Sequence, residues 1–127
     1  MGSSRRQGDL VKTRGYVPQR GDAIWLDFHP QAGREQAGRR PAVVLSPGSY
    51  NRKAGLAVVC PITSRQKGYP FETELPQGLQ IRGVVLADHM RSLDWKSLRG
   101  ELICRLPSSV MEEVTAKIIA LLNVDQA

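Results

Sequence analysis

Short runs of β-branched and apolar residues, each closed off by Gly or Pro, most constrain how this chain can fold. "PAVVLS" (Pro41–Ser46) and "LAVVCPIT" (Leu56–Thr63) are continuous apolar stretches. They are too short for a core helix and rich in Val and Ile, so they predict fully buried strands. Pro41 stands at the expected start of its strand, where a missing N–H is tolerated. "AIWLDF" (Ala23–Phe28) alternates, with Ile24, Leu26 and Phe28 on one side and Ala23, Trp25 and Asp27 on the other, and predicts a half-buried strand. "FETEL" (Phe71–Leu75) alternates again, and "VVLADHM" (Val84–Met90) reads as the next strand. The connections "PQRGD", "PGSYNRKAG", "SRQKGYP" and "QGLQIRG" read as turns and loops, the second with room for a short helical turn. Five strands joined this way describe a small antiparallel barrel or sandwich, not alternating βαβ units.

Near the C-terminus the period changes. "SSVMEEVTAKIIALLNV" places Ser109 three residues before Glu112, as in a capping box, and spaces Val110, Val114, Ile118 and Leu122 four apart with Met111 and Leu121 on the same broad face. An amphipathic helix of about fourteen residues is expected, closing the open side of the sheet. The class is therefore mainly β (α+β) in a single domain over residues 16–127, preceded by a basic extension, residues 1–15, expected to be disordered. No apolar run approaches the ~20 residues of a membrane span. The N-terminus has no apolar signal core, and Arg6 stands where a myristoylation motif needs Ser or Thr. A cytoplasmic protein with no membrane partner is expected.

Cys60 and Cys104 both lie in strand-like apolar runs and read as core thiols. Without a CxxC or a Cys/His cluster, no metal or cofactor site is expected. His29 and His89 are isolated in sequence, although His29 borders the loop discussed next. The net charge of +6 is unevenly spread: residues 1–20 carry +4, 21–30 carry −2, 31–67 carry +6 and 68–127 carry −2. A basic block spanning two loops and the strands between them is the footprint of a surface that binds a polyanion.

The two loops are "REQAGRR" before Pro41 and "SRQKGYP" after Thr63. No Gly-rich phosphate loop, Ser-His-Asp set or paired carboxylates accompany them. If the strands Pro41–Ser46 and Leu56–Thr63 pair, Glu35, Arg34, Arg39 and Arg40 emerge at one sheet edge with Thr63, Ser64, Arg65, Gln66 and Lys67. A phosphodiester could then lie between guanidinium donors and a hydroxyl. RNA carries its own nucleophile in the 2′-OH, so its cleavage requires neither a metal nor a protein nucleophile. Arg suits charge stabilisation because its planar fork binds phosphate oxygens and keeps its charge at working pH. On composition alone, a passive RNA-binding barrel fits the same residues, since Arg/Glu loops are commonly salt-bridged surface.

The segment from "GDAIWLDFHPQAGREQAGRRPAVVLSP" through "PITSRQKGYPFETEL" to "RGVVLADHMRSLDW" resembles the MazF/PemK family of toxin–antitoxin endoribonucleases, over about Tyr16 to Trp95. The resemblance implies an SH3-like antiparallel β-barrel with a C-terminal helix, a homodimer, and metal-independent cleavage of single-stranded RNA at a short sequence. The implied products carry a 2′,3′-cyclic phosphate and a 5′-hydroxyl, with inhibition of translation and growth as the result. It also implies a MazE-like antitoxin whose acidic tail blocks the RNA groove, and with it an indirect association with operator DNA.

Position by position, the resemblance assigns catalysis to Arg40 and Thr63 at the scissile phosphate. Glu35 is the candidate base, or else the residue that holds Arg40 or Arg34 in place. Arg34 and Arg39 are assigned to RNA or antitoxin binding, and Phe28, Gln36, Ser64, Arg65, Gln66 and Lys67 to RNA contacts. The chain departs from the family where some members carry His and it has Arg39, and in its basic extension. A second class stays open on the same barrel, because CcdB-type toxins poison DNA gyrase by protein contact and fold does not fix function.

Overall fold

The computed structural model describes residues 15–28 and 38–123. Its elements are β1 (Asp22–Asp27), β2 (Arg39–Val44), α1 (Gly48–Ala54), β3 (Ala57–Thr63), β4 (Glu72–Glu74), β5 (Val84–Leu86), a 3₁₀ turn (Ala87–His89), β6 (Arg91–Leu93), β7 (Glu101–Arg105) and α2 (Ser108–Leu122). The strands follow the order β4-β5-β3-β2-β1-β7, with β6 also on β3, and every pairing is antiparallel. The expected mainly β architecture with a C-terminal helix is what forms. Among the described residues, no helix is long and apolar enough to cross a membrane.

Alternation along β1, β2 and β3 gives the sheet two apolar faces. Ala23, Val43, Cys60, Ile62 and Val85 face α2, which contributes Val110, Met111, Val114 and Ile118. Ile24, Leu26, Ala42, Val44, Ala57 and Val59 line the opposite face, covered by Trp95. A β-bulge between Ala23 and Ile24 adjusts β1 to β7. The thiol reading holds for Cys60, which is fully buried and pushed up to about 12 by that burial. Cys104 is only half-buried, and both cysteines are free.

Several boundaries differ from the sequence expectation. β2 begins at Arg39, not Pro41, because its ladder with β1 continues through Leu26 opposite Arg40 and Asp27 opposite Arg39. Pairing with a neighbour, rather than local apolarity, sets where the strand starts. "VVLADHM" is not one strand. β5 pairs with β3 at Ile62 and Thr63, β6 pairs with it at Ala57 to Val59, and the register moves by three residues between the two ladders. The three-residue 3₁₀ turn absorbs that shift. The capping box also fails to form. Pro107, extended at ψ 150°, occupies the N-cap, and its carbonyl accepts from the Val110 and Met111 amides, so Ser109 is already inside the helix. The fourfold repeat stops at Ile118: Leu122 is 67% exposed, because the last turn finds no apolar cover among the described residues.

A buried polar hub ties the second face together. Asn51 of α1, fully buried, donates from Nδ2 to the carbonyls of Pro18 (2.8 Å) and Ser46 (3.0 Å) and accepts from Ser46 Oγ at 2.6 Å. Its own carbonyl accepts from Trp95 Nε1 at 3.0 Å and from the Gly55 amide, where Gly55 ends α1 in the left-handed region at φ 72°. Ser46 Oγ in turn accepts from the Val58 amide at 2.8 Å. Removing the amide strands several buried groups at once. Asn51→Ala is therefore expected to cost about 2–4 kcal/mol of stability, read from the midpoint of urea unfolding at unchanged slope.

At the β3–β5 junction the backbones come into close contact. Gly83 has φ +125°, and a Cβ there would sit 2.2 Å from the Thr63 carbonyl oxygen. No side chain fits without prying β5 from the end of β3. Gly83→Ala should lower stability by at least about 2 kcal/mol, the sum of strain and a backbone clash, as measured by thermal melting.

Candidate active site

The site grows out of the β2–β3 pairing. Ala42 faces Pro61, Val43 faces Cys60 and Val44 faces Val59. The ladder ends there; carried two residues further, the same register would bring Arg40 level with Thr63. Directly opposed residues project to one face, here the face of Leu26, Ala42 and Val59. The core on that face is apolar, and both residues lie at the ends of the strands that line it. Arg40 is exposed and Thr63 half-buried.

Thr63 is oriented from within its own loop. Its Oγ1 accepts from the Arg65 amide at 3.1 Å, which leaves the hydroxyl proton free to donate outward. Ser64, Arg65, Gln66 and Lys67 follow, all exposed. The loop thus presents two cations, a hydroxyl and an amide beside the Arg40–Thr63 pair. An open, polar cavity of about 310 Å³ adjoins it, lined by Gln66, Glu74, Arg82 and Gly83 among others.

The two arginines of "GRRP" part company. Neighbours along a strand face opposite ways, so Arg39 lies on the other side of β2 from Arg40. Arg39 Nη2 donates to Glu101 Oε1 at 2.8 Å, and Nη1 lies 3.9 Å from Asp27 Oδ2. Its charge is already engaged with carboxylates. Arg40 has no carboxylate within ion-pair distance among the described residues.

Phe28 extends β1 on the site's face, with its amide donating to the Gly38 carbonyl at 3.2 Å. The guanidinium of Arg91, opposite Val59 on β6, lies 6.0 Å from its ring centroid. That is cation–π range. Arg91 was not singled out from sequence, because a lone cation in a three-residue strand leaves no pattern. Only β6's return to β3 brings it beside Phe28. Below, Asp88 in the 3₁₀ turn approaches the phenol of Tyr69, and burial first, then the Asp88 carboxylate, pushes the Tyr69 phenol upward. His89 is exposed and lies 3.8 Å from Asp88; among the described residues no group of His, Cys, Asp and Glu is placed to hold a metal ion. Arg34, Glu35, Gln36 and His29 lie outside the described residues.

The arrangement suits one kind of chemistry. A guanidinium and a hydroxyl on one face of neighbouring strands are groups that can donate to the oxygens of a phosphodiester, and an aromatic ring under a guanidinium offers a stacking surface.

Comparison with known proteins places the chain. The sequence model described as "PemK-like, MazF-like toxin of type II toxin-antitoxin system" matches residues 19–122. The endoribonuclease toxin MazF of Escherichia coli K12 is 45% identical over 108 residues, covering 85% of this chain and 96% of that protein. The endoribonuclease PemK of Escherichia coli is 36% identical over 125 residues, covering 94% and 86%. Among solved structures, the crystal structure of MazF from Deinococcus radiodurans superposes with a TM-score of 0.76 at 57% identity, covering 85% of this chain and 98% of that one. Over nearly the whole length of these relatives, sequence and fold agree. The chain belongs to the PemK-like, MazF-like toxins of type II toxin–antitoxin systems.

Proposed function

We propose that this endoribonuclease toxin cuts single-stranded RNA without a metal ion, using the RNA's own 2′-OH as nucleophile. The observation that carries the reading is the β2–β3 register: carried two residues past its last pair, Ala42 opposite Pro61, it brings Arg40 level with Thr63 on the face of Ala42 and Val59. In the proposed reaction the 2′-oxygen attacks phosphorus, its proton passing to Glu35 as base. Arg40 binds the negative charge that accumulates on the phosphorane oxygens, and the Thr63 hydroxyl donates to the same phosphate. The bond to the 5′-oxygen then breaks and that oxygen takes up a proton, leaving a 2′,3′-cyclic phosphate and a 5′-hydroxyl. A guanidinium gives up its proton poorly, so charge stabilisation is Arg40's principal task.

Ser64, Arg65, Gln66 and Lys67 hold the strand's phosphates and bases, joined by Gln36 and Arg34, and Phe28 stacks a base with Arg91 above it. Arg39, whose charge is shared with Glu101 and Asp27, fits a role in antitoxin contact better than one at the scissile phosphate. Solved complexes of MazE with MazF from Deinococcus radiodurans, in which the MazF-like chain is 52% identical to this one, support a MazE-like antitoxin as partner. The toxin acts in the cytoplasm as a homodimer, and reaches operator DNA only through the antitoxin. Relatives at 31–45% identity carry the name endoribonuclease, which favours this reading over a gyrase-directed inhibitor on the same fold.

The purified protein is expected to cut single-stranded RNA at full rate in EDTA. Arg40→Ala should lose about 10²–10³ in kcat, the usual cost of one donor aimed at a developing anion, with an unchanged melting temperature. Full activity in Arg40→Ala, or strict metal dependence, contradicts the mechanism, and intact RNA with arrested gyrase supercoiling supports the alternative.

A further inference from the structure

Glu72 is a carboxylate only 8% exposed at the start of β4. Among the described residues no cation pairs with it. Burying a charge without a counter-ion is costly unless hydrogen bonds satisfy it. Here they come from the loop's backbone: Glu72 Oε2 accepts from the Lys67 amide at 2.9 Å, and Oε1 accepts from the Gly68 amide at 2.8 Å, with a longer contact to Lys67 at 3.2 Å. Two successive amides converging on one anion form a nest, and Gly68 at φ +85° supplies the left-handed residue such a turn needs. The protein's own carboxylate fills the nest.

The same residue is anchored through its backbone. Its amide donates to the Tyr69 carbonyl at 3.1 Å, and its carbonyl accepts from Lys117 Nζ on α2. Lys117 in turn pairs with Glu113 at 2.9 Å. At the other end of the loop, Thr63 Oγ1 accepts from the Arg65 amide. The segment Ser64–Lys67 is therefore pinned at both ends while its side chains stand exposed.

We propose that Glu72 is a positioning residue for the RNA-contacting loop, its buried carboxylate latching the Lys67 and Gly68 amides so that Ser64 to Lys67 meet the substrate already ordered. The loop's task rests on the function proposed above; the latch itself does not. A preordered loop loses less conformational freedom on binding, so the benefit appears as affinity. Charge alone would act in the opposite direction, because a carboxylate near a polyanion repels it.

The test uses the full chain with Glu72→Ala, Glu72→Gln and Gly68→Ala, reading amide exchange at Lys67 and Gly68 and steady-state cleavage of a single-stranded RNA. Glu72→Ala is expected to speed exchange of both amides and to raise KM about 10-fold, with a smaller change in kcat. Glu72→Gln keeps one acceptor oxygen for the nest and should restore KM to within about threefold. Gly68→Ala, which disturbs the nest without touching Glu72 and has open space for its methyl, should raise KM as well. A residue needed only for stability would lower the active fraction, and so kcat, while leaving KM unchanged. Unaltered amide exchange in Glu72→Ala, or a KM that stays level or falls, overturns the latch. RNA left intact by the unmutated chain overturns the proposed function instead, and amide exchange then upholds or overturns the latch by itself.

Discussion

Everything placed at the site depends on the antiparallel pairing of β2 with β3. Because side chains alternate with a period of two, one residue of slip in this ladder would turn Arg40 under the sheet and bring Arg39 to the rim. Two buried faces forbid the slip. Val43 and Cys60 must meet α2 on one side, and Ala42 and Val44 must meet Val59 and Trp95 on the other. Hydrophobic burial thus fixes the register, and the register selects which of two adjacent arginines lies on the same face as Thr63. The apolar core does more for the chemistry than support it.

Around that pairing, polar groups that are costly to bury are used to hold loops. Asn51 joins α1, the Pro18 segment and Trp95 beneath one face, and Glu72 gathers the amides of the basic loop at the edge of the other. Asn51 Nδ2 and the Glu72 carboxylate are met by backbone groups that would otherwise need water, and Asn51 Oδ1 by the Ser46 hydroxyl. The loop from Ser64 to Lys67, so anchored, presents Arg65 and Lys67 to solvent.

Much of this was legible in the sequence, and what was missed has physical causes. Val- and Ile-rich runs identified β2 and β3, and the alternation of "AIWLDF" identified β1. The start of β2 and the break between β5 and β6 escaped, since both are set by a neighbouring strand: the first by β1, the second by a three-residue register shift along β3. Ser109 matched a capping pattern but was displaced by Pro107, whose carbonyl closes the first turn. Of the site, Thr63 and its basic loop were readable as a cluster. The division of labour between Arg39 and Arg40 was not, because it follows from strand parity, and Arg91 was invisible until β6 returned beside Phe28.

Arg40 and Thr63 on one face of neighbouring strands lead to a specific energetic claim: the two act on the same phosphate as a unit. A double-mutant cycle on kcat/KM for RNA cleavage, with Arg40→Ala, Thr63→Val and the pair, measures it directly. The account predicts strong non-additivity, the double variant being only slightly worse than Arg40→Ala alone, with a coupling energy of about 1–3 kcal/mol. Additive losses would contradict it, and would mean that guanidinium and hydroxyl serve separate points on the RNA.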